Sequence, residues 1–114
     1  MTQACEIEHR LRVLRLLNDN ARRFFVGVRV VVTASIAADP TLQYAVLRKV
    51  RQFQDFKEED DVDRDHSFGA LEHQGETFWW RIDYYDPDME HGSEDPTDTQ
   101  KTVRVLTVMR PSEH

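Results

Sequence analysis

The chain has one cysteine, four glycines and four prolines among 114 residues, and each scarcity removes a class of protein. Cys5, alone, cannot form an internal disulfide and offers no partner at a zinc-ligand spacing. Gly27, Gly69, Gly75 and Gly92 stand singly, so no glycine-rich loop is available to cradle a phosphate. The longest apolar run, around Val30 to Val32, falls far short of the roughly 20 residues a membrane span needs. The opening MTQACEIEHR lacks a basic region followed by an apolar stretch, so no signal peptide is expected and a cytoplasmic location is. None of the five histidines stands in an HExxH, HxH or Cys-His spacing, so neither a metal nor another cofactor is expected.

What is present is charge, unevenly placed. With 39% hydrophobic and 32% charged residues the chain is globular rather than disordered. Residues 1–54 carry nine Lys/Arg against four Asp/Glu, and residues 55–100 carry three against sixteen. The net charge of −6 disfavours direct nucleic-acid binding, which needs a concentrated basic surface. An acidic segment can instead meet a basic helix pair within the chain or a basic partner outside it.

Periodicity divides a single domain, 1–114 with its core in about 6–110, into six elements. Ile7, Leu11, Leu14, Leu17 and Ala21 recur at spacings of three and four, one helical stripe with Arg10, Arg12, Arg15, Arg22 and Arg23 elsewhere on the cylinder. In FFVGVRVVVT the even residues from Phe24 to Val32 alternate with Arg29 and other odd positions, which predicts a strand with its even side buried. Asp39-Pro40 reads as an N-cap followed by proline at the first helical position, with Leu42, Val46, Val50 and Phe53 inward to about Asp55. Residues 56–65 form an acidic, mobile loop without calcium-loop spacing. HSFGALEHQ and ETFWWRIDYY flank Gly75 as a hairpin, a second acidic loop covers 86–100, and KTVRVLTVMR is the last strand. The expected fold is α+β in the order α-β-α-β-β-β, with a mainly antiparallel sheet and two helices packed on one face.

FWWRIDYY, residues 78–85, holds both tryptophans and two of the three tyrosines. At period two, Phe78, Trp80, Ile82 and Tyr84 point to the core, and Trp79, Arg81, Asp83 and Tyr85 point away. The outward set is a candidate binding face, because rigid aromatics and arginine supply contact energy at low entropic cost. Arg29 from the first strand and Arg104 from the last are expected on it, Arg104 lying opposite Val103, Val105 and Met109. Cross-strand pairing on a solvated face, a homodimer, or another partner would each account for it.

A second constellation centres on His66, where Asp65, Asp83, Asp86 and Asp95 could converge across loops as a base or metal site. The bland reading makes these residues turn formers. Ser93, His66 and Asp83 could be drawn as a triad, but no nucleophile-elbow sequence frames the serine.

HSFGALE at 66–72, WRIDYYD at 80–86, GSEDP at 92–96 and TVRVLTVM at 102–109 together resemble a small proteobacterial domain family of unknown function, many members of which are carried on plasmids and other mobile elements. The similarity runs from about Leu14 to Met109 and includes LND at 17–19 and FVGVRVVVTASIA at 25–37. The family pattern usually reads His-Asp-Phe-Gly where this chain has Ser67, so any role of that acid would be absent or moved to Asp65. The resemblance implies a domain extent and no activity.

Two functional expectations follow. The first is a non-enzymatic interaction protein, serving a mobile element, that binds another protein through the 79/81/83/85 face or the acidic loops; an inhibitor of a host defence nuclease is one form of it. The alternative is a small hydrolase, metal-dependent or acid/base, built on the His/Asp cluster.

Overall fold

The computed structural model describes residues 3–114; the first two residues of the 1–114 domain lie outside them. The elements are α1 (Gln3–Phe24), β1 (Val28–Val32), α2 (Ala34–Ala37), α3 (Pro40–Arg51), β2 (Phe68–His73), β3 (Glu76–Tyr85), β4 (Val103–Met109) and a 3-10 turn, η1 (Pro111–Glu113). The fold is α+β.

Local signals set several boundaries. Asp39 caps α3, its Oδ1 accepting the Leu42 N–H at 3.2 Å, and Pro40 opens the helix. Gln74 and Gly75, at φ +52° and +79°, form the two-residue turn between β2 and β3, whose twist suits a hairpin. α1 runs through Phe24, so the strand expected from Phe24 begins only at Val28. Phe25 (φ +54°) and Gly27 (φ +66°) reverse the chain between them, leaving Phe24 and Val26 exposed. The apparent alternation over 24–27 belongs to a helix end and a turn.

The sheet is antiparallel over its last three strands, as expected, and departs from that pattern at its first. Its order is β1-β4-β3-β2; the last three strands are antiparallel, but β1 lies parallel to β4, from Val28↔Arg104 to Val32↔Val108. The sheet is therefore mixed, and α2 and η1 are additional elements. Period two says which face a residue takes, not which neighbour a strand pairs with or in which direction.

All three helices lie on one face of this sheet. Ile36 of α2 and Val46 and Val50 of α3 are buried against Phe78, Trp80, Ile82, Leu106 and Val108. Trp80, fully buried, meets Phe53 edge-on at 5.4 Å and lies opposite Gly69 in the register. A Cβ at Gly69 would sit 2.6 Å from Trp80 Cε2 and 2.8 Å from Phe53 Cζ. The glycine of HSFGALE is thus required by packing, because backbone must approach the indole closely.

Arg22, expected on the outer side of α1, is 2% exposed. Its Nη1 donates to the Val50 carbonyl at 2.9 Å and the Arg51 carbonyl at 3.3 Å, and its guanidinium lies 5.4 Å from the Trp80 ring. The last carbonyls of α3 have no intrahelical donor, and Arg22 supplies one from the neighbouring helix. Among the described residues no helix is long and apolar enough to cross a membrane.

Candidate functional site

The side of the sheet away from the helices is built from the odd residues of β1, β3 and β4. Register places Arg29 beside Val105 and Val105 beside Asp83; Val31 beside Thr107, Arg81 and then Phe68 of β2; and Val103 beside Tyr85. Trp79, between Met109 and Ala70, meets Phe68 edge-on at 5.4 Å and His114 at 5.8 Å. All three helices pack on the opposite face, so Val31, Val103, Val105, Phe68 and Tyr85 border solvent, Val31 at 46% exposure. Arg81 and Asp83 pair along their own strand at 2.9 Å, both about one-third exposed (38% and 32%). The face therefore has one internally neutralised ion pair near its middle, with apolar side chains on either side of it. Trp79, Arg81, Asp83, Tyr85 and Arg29 share it as the period of two requires.

Arg104 does not. In β4 the even residues Arg104, Leu106 and Val108 are buried on the helix side, and Val103 and Val105 face outward, the reverse of the expected parity. KTVRVLTVMR carries aliphatic residues on both sides, so hydrophobicity does not choose between them, and charge alone points the arginine to water. Its place is explained by partners: Nε donates to Asn18 Oδ1 at 2.9 Å, Nη2 donates to the Pro96 carbonyl at 2.5 Å, and the guanidinium lies 5.2 Å from the Tyr84 ring. Asn18 Nδ2 in turn donates to the Asp65 carbonyl (2.8 Å) and to Tyr84 Oη (2.6 Å). Tyr84 donates to Asp65 Oδ2 (2.6 Å), and Ser67 Oγ donates to Asp65 Oδ1 (2.6 Å). A serine at 67 can donate this bond, whereas an ionised aspartate there could not. A buried network with its members hydrogen-bonded to one another holds structure rather than substrate.

Burial, and the bond given to Asp65, push the Tyr84 phenol well above its ordinary value. The linked stability is fully present below the unfolded-state tyrosine pKa of about 10 and is lost as pH rises beyond it, because the unfolded chain then sheds a proton the folded chain keeps. Denaturant unfolding at increasing alkaline pH should show this loss, and Tyr84→Phe should flatten it. An equal slope in the variant would mean that the phenol is not held protonated.

The His66 cluster is not the one expected. His66 Nδ1 donates to Asp19 at 2.9 Å, Nε2 lies 3.9 Å from Asp61 Oδ2, and the ring stacks on Phe56 at 3.7 Å. The residue adopts φ +58°, and its N–H donates to Asp61 Oδ1, which turns the ring back toward α1. Burial pushes the Asp61 carboxyl up, against the pull of the His66 amide. Asp65 gives its carboxylate to Ser67 and Tyr84 instead. Asp86 closes its own turn, accepting from the Glu90 and His91 amides, which hold it below the usual range against desolvation. Asp95 is held low by the Thr97 hydroxyl and by Arg10. Ser93 bonds Thr102, not His66. Among the described residues no group of three His, Cys, Asp or Glu is placed to hold a metal ion. Asn18 and Asp19, which the charge and period arguments passed over, lie in the LND stretch.

The acidic loop is tied down at its end rather than loose. The Arg64 carbonyl accepts from Arg15 Nε at 2.6 Å, and Asp65 is 6% exposed. Between this loop and the sheet lies a cleft of about 500 Å³, with Asp60, Asp61 and Asp63 on one wall and Phe68, Arg81 and Tyr85 on the other. The acidic segment and the bare face are thus one continuous surface.

Residues 30–113 match the model of a family described as a protein of unknown function (DUF3768). No curated protein and no solved structure matches the chain.

Proposed function

We propose that this chain, which belongs to the DUF3768 family of unknown function, is a non-enzymatic protein-interaction module that docks on a basic partner through its bare sheet face. The observation that carries this reading is the uncovered face itself, with Val31, Val103, Val105 and aromatic Phe68, Trp79 and Tyr85, rimmed by the carboxylates of the 60–63 loop. Aromatic and aliphatic side chains around an arginine are the composition of a docking surface, and apolar area left in water is removed by association. The acidic rim selects a basic surface, and the nucleic-acid channel of a nuclease is one such surface.

Arg81→Glu tests it. The substitution loses an ion pair about one-third exposed and should change folding stability by no more than about 0.5–1 kcal/mol. It should weaken association by about 2 kcal/mol or more, because the guanidinium packed beside Phe68 is lost and two adjacent carboxylates are left in the middle of the face, away from the acidic rim that meets the basic partner. Melting temperature reports the first effect; light scattering and partner pull-down report the second. A variant that folds, keeps its mass in solution and retains every partner would remove the face from consideration.

One observation favours the hydrolase alternative, the His66–Asp19 pair, since a carboxylate on Nδ1 orients a general base. Against it, Nε2 faces Asp61, a second carboxylate, and no hydroxyl among the described residues bonds the ring.

A further inference from the structure

On the helical side of the molecule, away from the bare sheet face, a groove of about 510 Å³ runs between the end of α1 and α3. Arg23 and Phe25 form one wall; Tyr44, Leu47, Arg48 and Arg51 form the other. The α3 residues stand at spacings of three and four, a stripe distinct from the Leu42, Val46, Val50 stripe that enters the core. This second stripe is only partly taken up by the fold: Leu47 packs against the core and Arg51 bonds the end of α1, while Tyr44 and Arg48 face solvent.

The composition of the second face is not that of a solvated surface. Tyr44 is 70% exposed, and Phe25 and Leu47 lie only partly buried beneath it. Arg51 is committed, its Nε donating to the Arg23 carbonyl at 2.9 Å and its guanidinium lying 5.0 Å from the Phe25 ring. Arg23 and Arg48 meet no carboxylate among the described residues, in a chain with 21 acids to 15 Lys and Arg. Basic residues do suit the negative C-terminal end of a helix. Arg23 lies 5.2 Å over the Phe24 ring, however, and neither it nor Arg48 gives a side-chain hydrogen bond among the described residues, so both forks stay open beside the exposed Tyr44.

We propose that this groove is a second binding site, one that takes a short acidic segment of a protein partner carrying at least one apolar side chain. Carboxylates of the segment pair with the forked guanidiniums of Arg23 and Arg48, and the apolar side chain lies on Phe25, Leu47 and Tyr44. The groove volume falls in the roughly 300–1,000 Å³ range of ligand clefts. Charge decides the class of ligand. A nucleic acid needs a longer basic track than the three arginines, Arg23, Arg48 and Arg51, that line this groove. A short acidic peptide ends within the basic patch. This site is independent of the sheet-face reading.

The probe is a short fluorescein-labelled peptide in which Glu and Asp alternate with Leu and Phe, followed by fluorescence anisotropy with the full chain. Its Gln/Asn counterpart and a single-stranded oligonucleotide serve as comparisons. We expect the acidic peptide to bind, and Arg23→Glu/Arg48→Glu to weaken it at least tenfold. Tyr44→Ala should weaken it severalfold and about 1 M salt should abolish it, since screening then acts within roughly 3 Å. Arg81→Glu should leave this binding unchanged, which separates the result from any failure of the sheet-face reading. Amide shifts at Phe25 and Leu47 on titration with wild-type chain locate the peptide even if the double variant fails to fold. No binding, equal binding of the neutral peptide, shifts confined elsewhere, or tighter binding of the oligonucleotide would each overturn the proposal.

Discussion

Trp80→Ala should cost about 3–5 kcal/mol, the range for deleting a large buried aromatic. Trp80 is fully buried, opposite the backbone of Gly69, with Phe53 and Phe56 edge-on and the Arg22 guanidinium over its ring. Removing the indole leaves a cavity bounded by a glycine, which has no side chain to relax into it. Domains of this size are stable by about 5–15 kcal/mol, so the loss should lower the melting temperature on the order of 10–30 °C. Trp79→Ala, one residue away on the open face, should cost much less in the isolated domain. Similar costs for the two, or a quencher that reaches Trp80 before Trp79, would mean that the strand faces the other way.

Arg104→Ala is expected to be comparably damaging, at about 3–5 kcal/mol, because removing one member of a buried charged network strands the others. Arg104 is 4% exposed, and its loss leaves Asn18 Oδ1 and the Pro96 carbonyl without their donor beside the Asp65–Tyr84 pair. Arg104→Lys should fall between the two, since it keeps the charge but not the fork. A double-mutant cycle with Asn18→Ala should show strong coupling, as expected for groups in direct contact. Chemical denaturation provides the measurement. A cost near the roughly 0.5 kcal/mol of a surface substitution would return Arg104 to the outer face and undo the register of β4.

Much of the fold was legible because much of it is local. The Asp39-Pro40 start of α3, the Gln74-Gly75 turn and the two sides of β3 follow from capping, backbone dihedral preference and the period of two, each acting within a few residues. The outward position of Trp79, Arg81, Asp83, Tyr85 and Arg29 was readable for the same reason. The His66 cluster was not. Asp19 and Asp61 reach His66 from a helix and a turn, and no spacing in the chain ties the three together, whereas Asp86 and Asp95 are satisfied within their own loops.

Local pattern alone settles that β3 has a core side and an open side, that the helices carry apolar stripes, and that acid is concentrated between α3 and β4. Each of these is a property of neighbouring residues. Contacts between distant segments settle that β1 lies parallel to β4, that Arg22 caps a helix other than its own, and that Arg104 turns inward. A lone arginine reads as solvated because burying an unpaired charge is prohibitive. Arg104 is buried because its partner Asn18 stands 86 residues away, and no pattern within either segment records that the other will be there.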